Sequence, residues 1–197
     1  NQLSKEDKNA KLLDLKHHKV LHYAEKAVER KIQESLSDFE MLHSSSTYEN
    51  ADLLYAICLN AIGDSYLNNL SSAEDSTENI QKANVYLDKA LSLIDSVKHQ
   101  DNFIQFNFNK AKALRHGKKY SAALISNNKL FQSCDSIDQR IPFFYGQKVM
   151  ILIQKGDYKE AINNYRIMLE EIHSGADDLN NDYSNFKASE ELNHTGL

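Results

Sequence analysis

Gly156-Asp157-Tyr158-Lys159-Glu160-Ala161-Ile162, followed by Tyr165, Met168 and Leu169, is the stretch on which the reading of the fold turns. A glycine directly after a helical pattern is a C-terminal stop, because it enters the left-handed conformation without a Cβ penalty. Here it follows Lys155. Asp157 then offers a side-chain oxygen to cap a new helix. Behind it, Ala161, Tyr165, Met168 and Leu169 recur mostly at steps of three and four, which places them on one helical face. The segment therefore reads as helix, short turn, helix.

The same register recurs upstream. Lys118-Lys119-Tyr120-Ser121-Ala122-Ala123-Leu124 repeats the Tyr-x-x-Ala spacing, with Leu130 and Phe131 further along and Gly117 one residue off the glycine position. A third copy is split: Ile62-Gly63-Asp64-Ser65-Tyr66 lies on one helix and Ala83, Leu87, Ala90 and Leu91 on the next. Ala123 lies 40 residues after Ala83, and Ala161 lies 38 after Ala123.

Working outward, the chain is expected to form a long helix over 5–43, and then helices over 48–70, 80–97, 103–116 and 120–133. A helix with Pro142 in its first turn and its end at Lys155, and one over 157–173, complete the set. Ser71–Asn79 reads as a polar loop, and Cys134–Arg140 as another. Residues 174–197 form a polar, acidic tail, with a short helix conceivable around Phe186–Leu192. No segment shows the alternation of a strand.

This pattern resembles the tetratricopeptide repeat. Tyr158, Ala161, Tyr165 and Met168 match the family's inter-helix turn and second helix in order, and Tyr145 stands where the first-helix Trp would be. The family period is about 34 residues, so the wider spacing here implies longer loops with the helical register kept. The resemblance covers roughly residues 48–173 and implies an all-α fold of antiparallel helix pairs, stacked as a right-handed superhelix, an α-solenoid. Residues 1–47 form a cap or a diverged repeat, and 174–197 a tail or capping helix. Ala83, Ala123, Ala161 and Gly63 would allow close helix approach, and Tyr66, Tyr120 and Tyr158 would fill gaps between units. These motif residues build the scaffold and are not sites.

Composition agrees. With 197 residues, 41% of them apolar, the chain can bury a sizeable core. One Pro, six Gly and no Trp are too little turn chemistry for an all-β sandwich. A net charge of −5 without a Lys/Arg-rich run argues against a nucleic-acid surface. No stretch reaches the roughly 18 apolar residues of a membrane span, so no direct membrane contact is expected of this segment. The chain begins at Asn1 without Met, which fits a piece of a longer protein. The compartment is left open, with the cytoplasm marginally favoured over an extracytoplasmic sensor segment.

Chemistry-bearing constellations are sparse. Cys58 and Cys134 have no metal-ligand spacing. His17, His18 and His22 cluster, with His18 and His22 four apart, but the HExxH pattern is absent and no metal site or cofactor is expected. Glu170–Glu171 and Asp177–Asp178 are adjacent pairs whose members do not face each other on a helix. There is no phosphate loop and no nucleophile motif. The expectation is a non-enzyme that binds a protein or peptide. Self-association, or service as the sensor segment of a larger bacterial signalling protein (a histidine kinase or a transcription regulator), is the alternative.

The resemblance places the binding groove on the first helix of each pair. Asn60, Asp64 and Asn68 form a polar row on one such helix, and Gln105, Asn109, Lys112 and His116 on another. Gln147, Met150 and Gln154 lie off the core side of a third. Exposed amides there would hydrogen-bond a peptide backbone. Lys112 and Arg115 alone do not make the family's carboxylate clamp, so chaperone-tail binding is not expected.

Overall fold

A computed structural model describes residues 5–69, 73–135 and 138–173. Among the described residues the chain is all-helical, with eight helices and no strand. They are α1 (Lys5–Glu25), α2 (Glu29–His43), α3 (Ala51–Asn68), α4 (Ala73–Ser92), α5 (Gln100–His116), α6 (Tyr120–Gln132), α7 (Ile141–Lys155) and α8 (158–173). The chain divides into two compact units, Asn1–Ser133 and Cys134–Leu197.

In the first unit each helix packs on its chain neighbour, and α3 also packs on α1 and α5. Its core holds Val20, Phe39, Leu59, Ile62, Leu87 and Phe106, all essentially removed from water. Gly63 is where α3 and α4 come closest. A Cβ at that position would lie 2.7 Å from Leu87 Cγ and 3.3 Å from the Ala83 carbonyl oxygen. The repeated alanines Ala83, Ala123 and Ala161 are all buried, as close helix packing requires.

Two Glu–Tyr–Lys clusters stitch α2, α3 and α4 together. In one, Tyr66 donates to Glu29 at 3.1 Å, Lys82 donates to the same carboxylate at 2.9 Å, and Tyr66 stacks on Tyr86. In the other, Tyr55 donates to Glu40 and accepts from Lys89, whose ammonium sits 4.7 Å over the Tyr55 ring. Hydrogen bonds from Lys82 and Tyr66 hold the Glu29 carboxyl below the usual range. Burial, reinforced by Glu29, pushes the Tyr66 phenol up to about 12.

Three hairpin turns share one geometry. After α7 the Gly156 N–H bonds to the Ile153 carbonyl and the Asp157 N–H to Leu152, with Gly156 at φ 88°. After α5, Lys118 (φ 57°) takes the same place, donating to Arg115 while Lys119 donates to Leu114. After α1, Ala27 (φ 53°) does so, donating to Ala24 while Val28 donates to Tyr23. Each is a Schellman motif, which satisfies the last carbonyls of one helix and aims the chain back along it. The offset of Gly117 is thus explained: Gly117 keeps a negative φ of −76°, and the left-handed position falls on Lys118.

Several expectations are corrected. The single helix over 5–43 is two helices, α1 and α2, packed on each other. Ala24, Ala27, Val28 and Ile32 keep helical spacing straight through the turn, so the apolar pattern gives no sign of the break. Most of the expected loop Ser71–Asn79 belongs to α4. An acidic opening favours a helix N-terminus, and Glu78 pairs with Lys82 one turn on, at 2.9 Å. At the other end α4 stops at Ser92 rather than Val97, and α5 starts at Gln100 rather than Phe103. Asp95 accounts for this by accepting the Val97 and Lys98 N–H groups in place of a helical ladder. Tyr66 is buried as expected, whereas Tyr158 is 64% exposed at the start of α8 and fills no gap among the described residues. The tail 174–197, with the helix envisaged at 186–192, lies outside the described residues.

Candidate functional site

The polar rows of α3 and α5 meet. Asn109 donates to Asn60 at 3.1 Å, and both are buried. Gln105, exposed, lies one turn before Asn109 and within 3.5 Å of it. Lys112 donates to Asp64 at 3.0 Å and to Asn68 at 2.7 Å, while Asn68 also donates to Asp64. Six of the seven expected groove residues therefore form one ladder across two packed helices, running from buried amides to a half-exposed ion pair. Helix packing of α3 on α5 sets the distance, and the four-residue spacing sets the register. Beside the ladder, a cavity of about 410 Å³ opens between the end of α1 with the turn after it (Leu21, Ala24, Ala27) and α3 (Ala61, Asp64, Asn68).

His116 stands apart. It contacts Arg115 at 3.2 Å and lines a different cavity with Thr77, Gln81, Asn84 and Lys119. Burial, then the charges of Arg115 and Lys112, lowers its pKa, so it is neutral at physiological pH. Nothing in this arrangement pairs a general base with a nucleophile. The Cys58 thiol is buried and burial pushes its pKa well up, so it supplies no thiolate.

The second unit carries a different surface. α7 and α8 enclose an apolar groove of about 670 Å³, lined by Pro142, Phe143, Gly146, Val149, Met150, Tyr165, Met168 and Ile172. At Gly146 a Cβ would meet only the Met168 sulfur, at 3.5 Å, an ordinary van der Waals contact. Phe143 is 70% exposed, and Met150, Tyr165 and Ile172 are each about half exposed. Met150 is the one residue here assigned to the binding face from sequence. Gln147, assigned with it, is buried, and Gln154 is exposed. The periodic apolar stripe marks Tyr165 and Met168 in the sequence, but not which side of it is left uncovered.

On α1, the structure brings Asp14 to His17 and His18, with one ligand atom of each within 4.8 Å of the others. His22 is not in this group, its ring lying against Tyr23. In the sequence the group is Asp14-x-x-His17-His18, an i, i+3, i+4 arrangement with the carboxylate ahead of the histidines rather than between them.

No protein-family model matches the chain, and no curated protein matches it. The class that the structure defines is an all-α protein of packed neighbouring helices.

Proposed function

We propose that the chain is a non-enzymatic helical-repeat module of the tetratricopeptide type that holds a protein or peptide segment. In this reading its helix pairs stack as a right-handed solenoid, and the groove of α7 and α8 receives the apolar face of an amphipathic helix. The repeat is supported by the buried alanines at matching register, the three like hairpin turns, and the packing of α1 on α3 and α3 on α5. The binding role rests on one observation. The α7–α8 groove leaves Phe143, Met150, Tyr165 and Ile172 uncovered together, beyond the scattered apolar exposure of an ordinary surface. A long apolar trough of this kind takes side chains at i, i+3, i+4 and i+7 of a partner helix.

A random-peptide phage library selected on the full chain tests this. Selected peptides should carry apolar residues at helical spacing and lose at least about tenfold in affinity when Met150→Asp places a charge in the groove. In the α3–α5 ladder, the exchange Asp64→Lys with Lys112→Glu preserves the ion pair and should leave them unaffected. Binders indifferent to both changes, or an empty selection, would refute the reading.

A further inference from the structure

We propose that Asp14, His17 and His18 of α1 form a binding site for a divalent transition metal of the zinc class. His17 is the central observation. It lies in the buried stripe Leu13, His17, Val20, Ala24 at 7% exposure, and both of its ring nitrogens are buried without a hydrogen-bond partner. Buried polar atoms are almost always paired, and an orphaned pair on one imidazole calls for an ion or a water. The two groups within reach are metal ligands: the Asp14 carboxylate and the His18 imidazole, each contributing an atom within 4.8 Å of the others.

The surroundings suit a cation. His18 Nδ1 lies 2.8 Å from the Asp14 backbone carbonyl, which can only accept. A proton on Nδ1 leaves the lone pair on Nε2, the tautomer that ligation through Nε2 requires. Lys16 and Lys19 both pair with Asp38, and the Asp14 carboxylate lies 3.6 Å from His18 Nδ1. Two imidazoles and one carboxylate select zinc, cobalt, nickel or copper over magnesium or calcium, which take oxygen ligands. Asp14 and His18 are both exposed, so two of the three ligands face solvent. A bound ion would also fix the α1 face that packs on α2 and α3.

The test uses the full chain and the metal alone. Zinc titrated by calorimetry should bind at one equivalent, and cobalt in its place should give a visible d–d absorption band. Asp14→Asn and His18→Ala change exposed side chains, so the fold is retained; each should weaken zinc binding at least about tenfold. His22→Ala should leave the affinity unchanged. His17→Ala should abolish binding, with circular dichroism reporting whether the variant folds. No heat and no cobalt band would overturn the proposal. So would zinc affinity that survives Asp14→Asn and His18→Ala, or one that is lost in His22→Ala but kept in Asp14→Asn.

Discussion

Replacing Gly63 by alanine should destabilise the protein, against the rule for helix interiors. In an exposed helix Gly→Ala is worth about 1 kcal/mol in favour of alanine. At position 63 the new methyl would sit 2.7 Å from Leu87 Cγ, 3.0 Å from Leu87 Cδ2 and 3.3 Å from the Ala83 carbonyl oxygen. Leu87 is fully buried, and the Ala83 carbonyl is backbone of the facing helix, so neither yields cheaply. Overpacking of this kind costs about 1–3 kcal/mol. With two contacts at or below 3.0 Å the clash outweighs the propensity gain, and the net loss should be up to about 2 kcal/mol. The background decides the mechanism. Leu87→Ala alone should cost about 2–5 kcal/mol by opening a cavity. In that background the Leu87 contacts are gone and only the 3.3 Å approach to the Ala83 carbonyl oxygen remains, so the cost should vanish or reverse to a gain of at most about 1 kcal/mol. Guanidinium unfolding of the four proteins, followed by circular dichroism, closes the double-mutant cycle. Two results would show that α3 and α4 do not meet at this point. One is a Gly63→Ala change that stabilises the parent protein. The other is a Gly63→Ala cost that is as large in the Leu87→Ala background as in the parent.

The hairpin turns give a second prediction. At Gly156 (φ 88°) a Cβ would touch nothing, so Gly156→Ala tests backbone conformation alone. The left-handed penalty of about 1–2 kcal/mol, less about 0.4–1 from the stiffer unfolded chain, leaves a loss of up to about 1.6 kcal/mol. Lys118→Gly and Ala27→Gly should carry the opposite sign and raise the melting temperature. A third prediction concerns pH. Glu29 has its pKa lowered in the fold by Lys82 and Tyr66. Its contribution is therefore present above the ordinary carboxylate range and lost as pH falls through the folded value; Glu29→Gln should flatten the acid limb of stability against pH. Tyr66 runs the other way: with its pKa raised from 10 to about 12, its contribution holds below 10 and is lost as pH rises through about 12. Ultraviolet titration of Tyr66→Phe should lose a late-ionising tyrosinate.

The existence and type of nearly every helix were legible in the chain, because apolar residues at steps of three and four admit one interpretation. Where reading failed, a tertiary or local contact had overridden a correct propensity. Ala27 is the plainest example. Alanine is the best helix former, yet here it adopts φ 53° and ends α1. Packing of α2 back onto α1 requires the turn, and no glycine or proline advertises it. The start of α4 failed for the converse reason: Glu74, Asp75, Ser76 and Thr77 read as loop residues until acidic groups are credited with favouring a helix N-terminus.

For the candidate site, spacing alone does not distinguish polar residues that wait for a partner from polar residues that already have one. Asn60 and Asn109 are 49 positions apart in sequence, and only the packing of α3 on α5 brings the two amides together. Once paired and buried they are poor candidates for gripping a peptide, because a ligand would have to replace a satisfied hydrogen bond with another of similar strength. In a protein built of packed helices, function is therefore to be sought where the packing leaves something unfinished. Two places qualify: the imidazole of His17, whose nitrogens are buried without partners, and the α7–α8 groove, whose apolar side chains are left facing solvent. The first is an energetic cost that a metal on one ring nitrogen would reduce, and the second an exposed surface that a helix would cover. Both lie on stripes that, in the sequence, look like ordinary core.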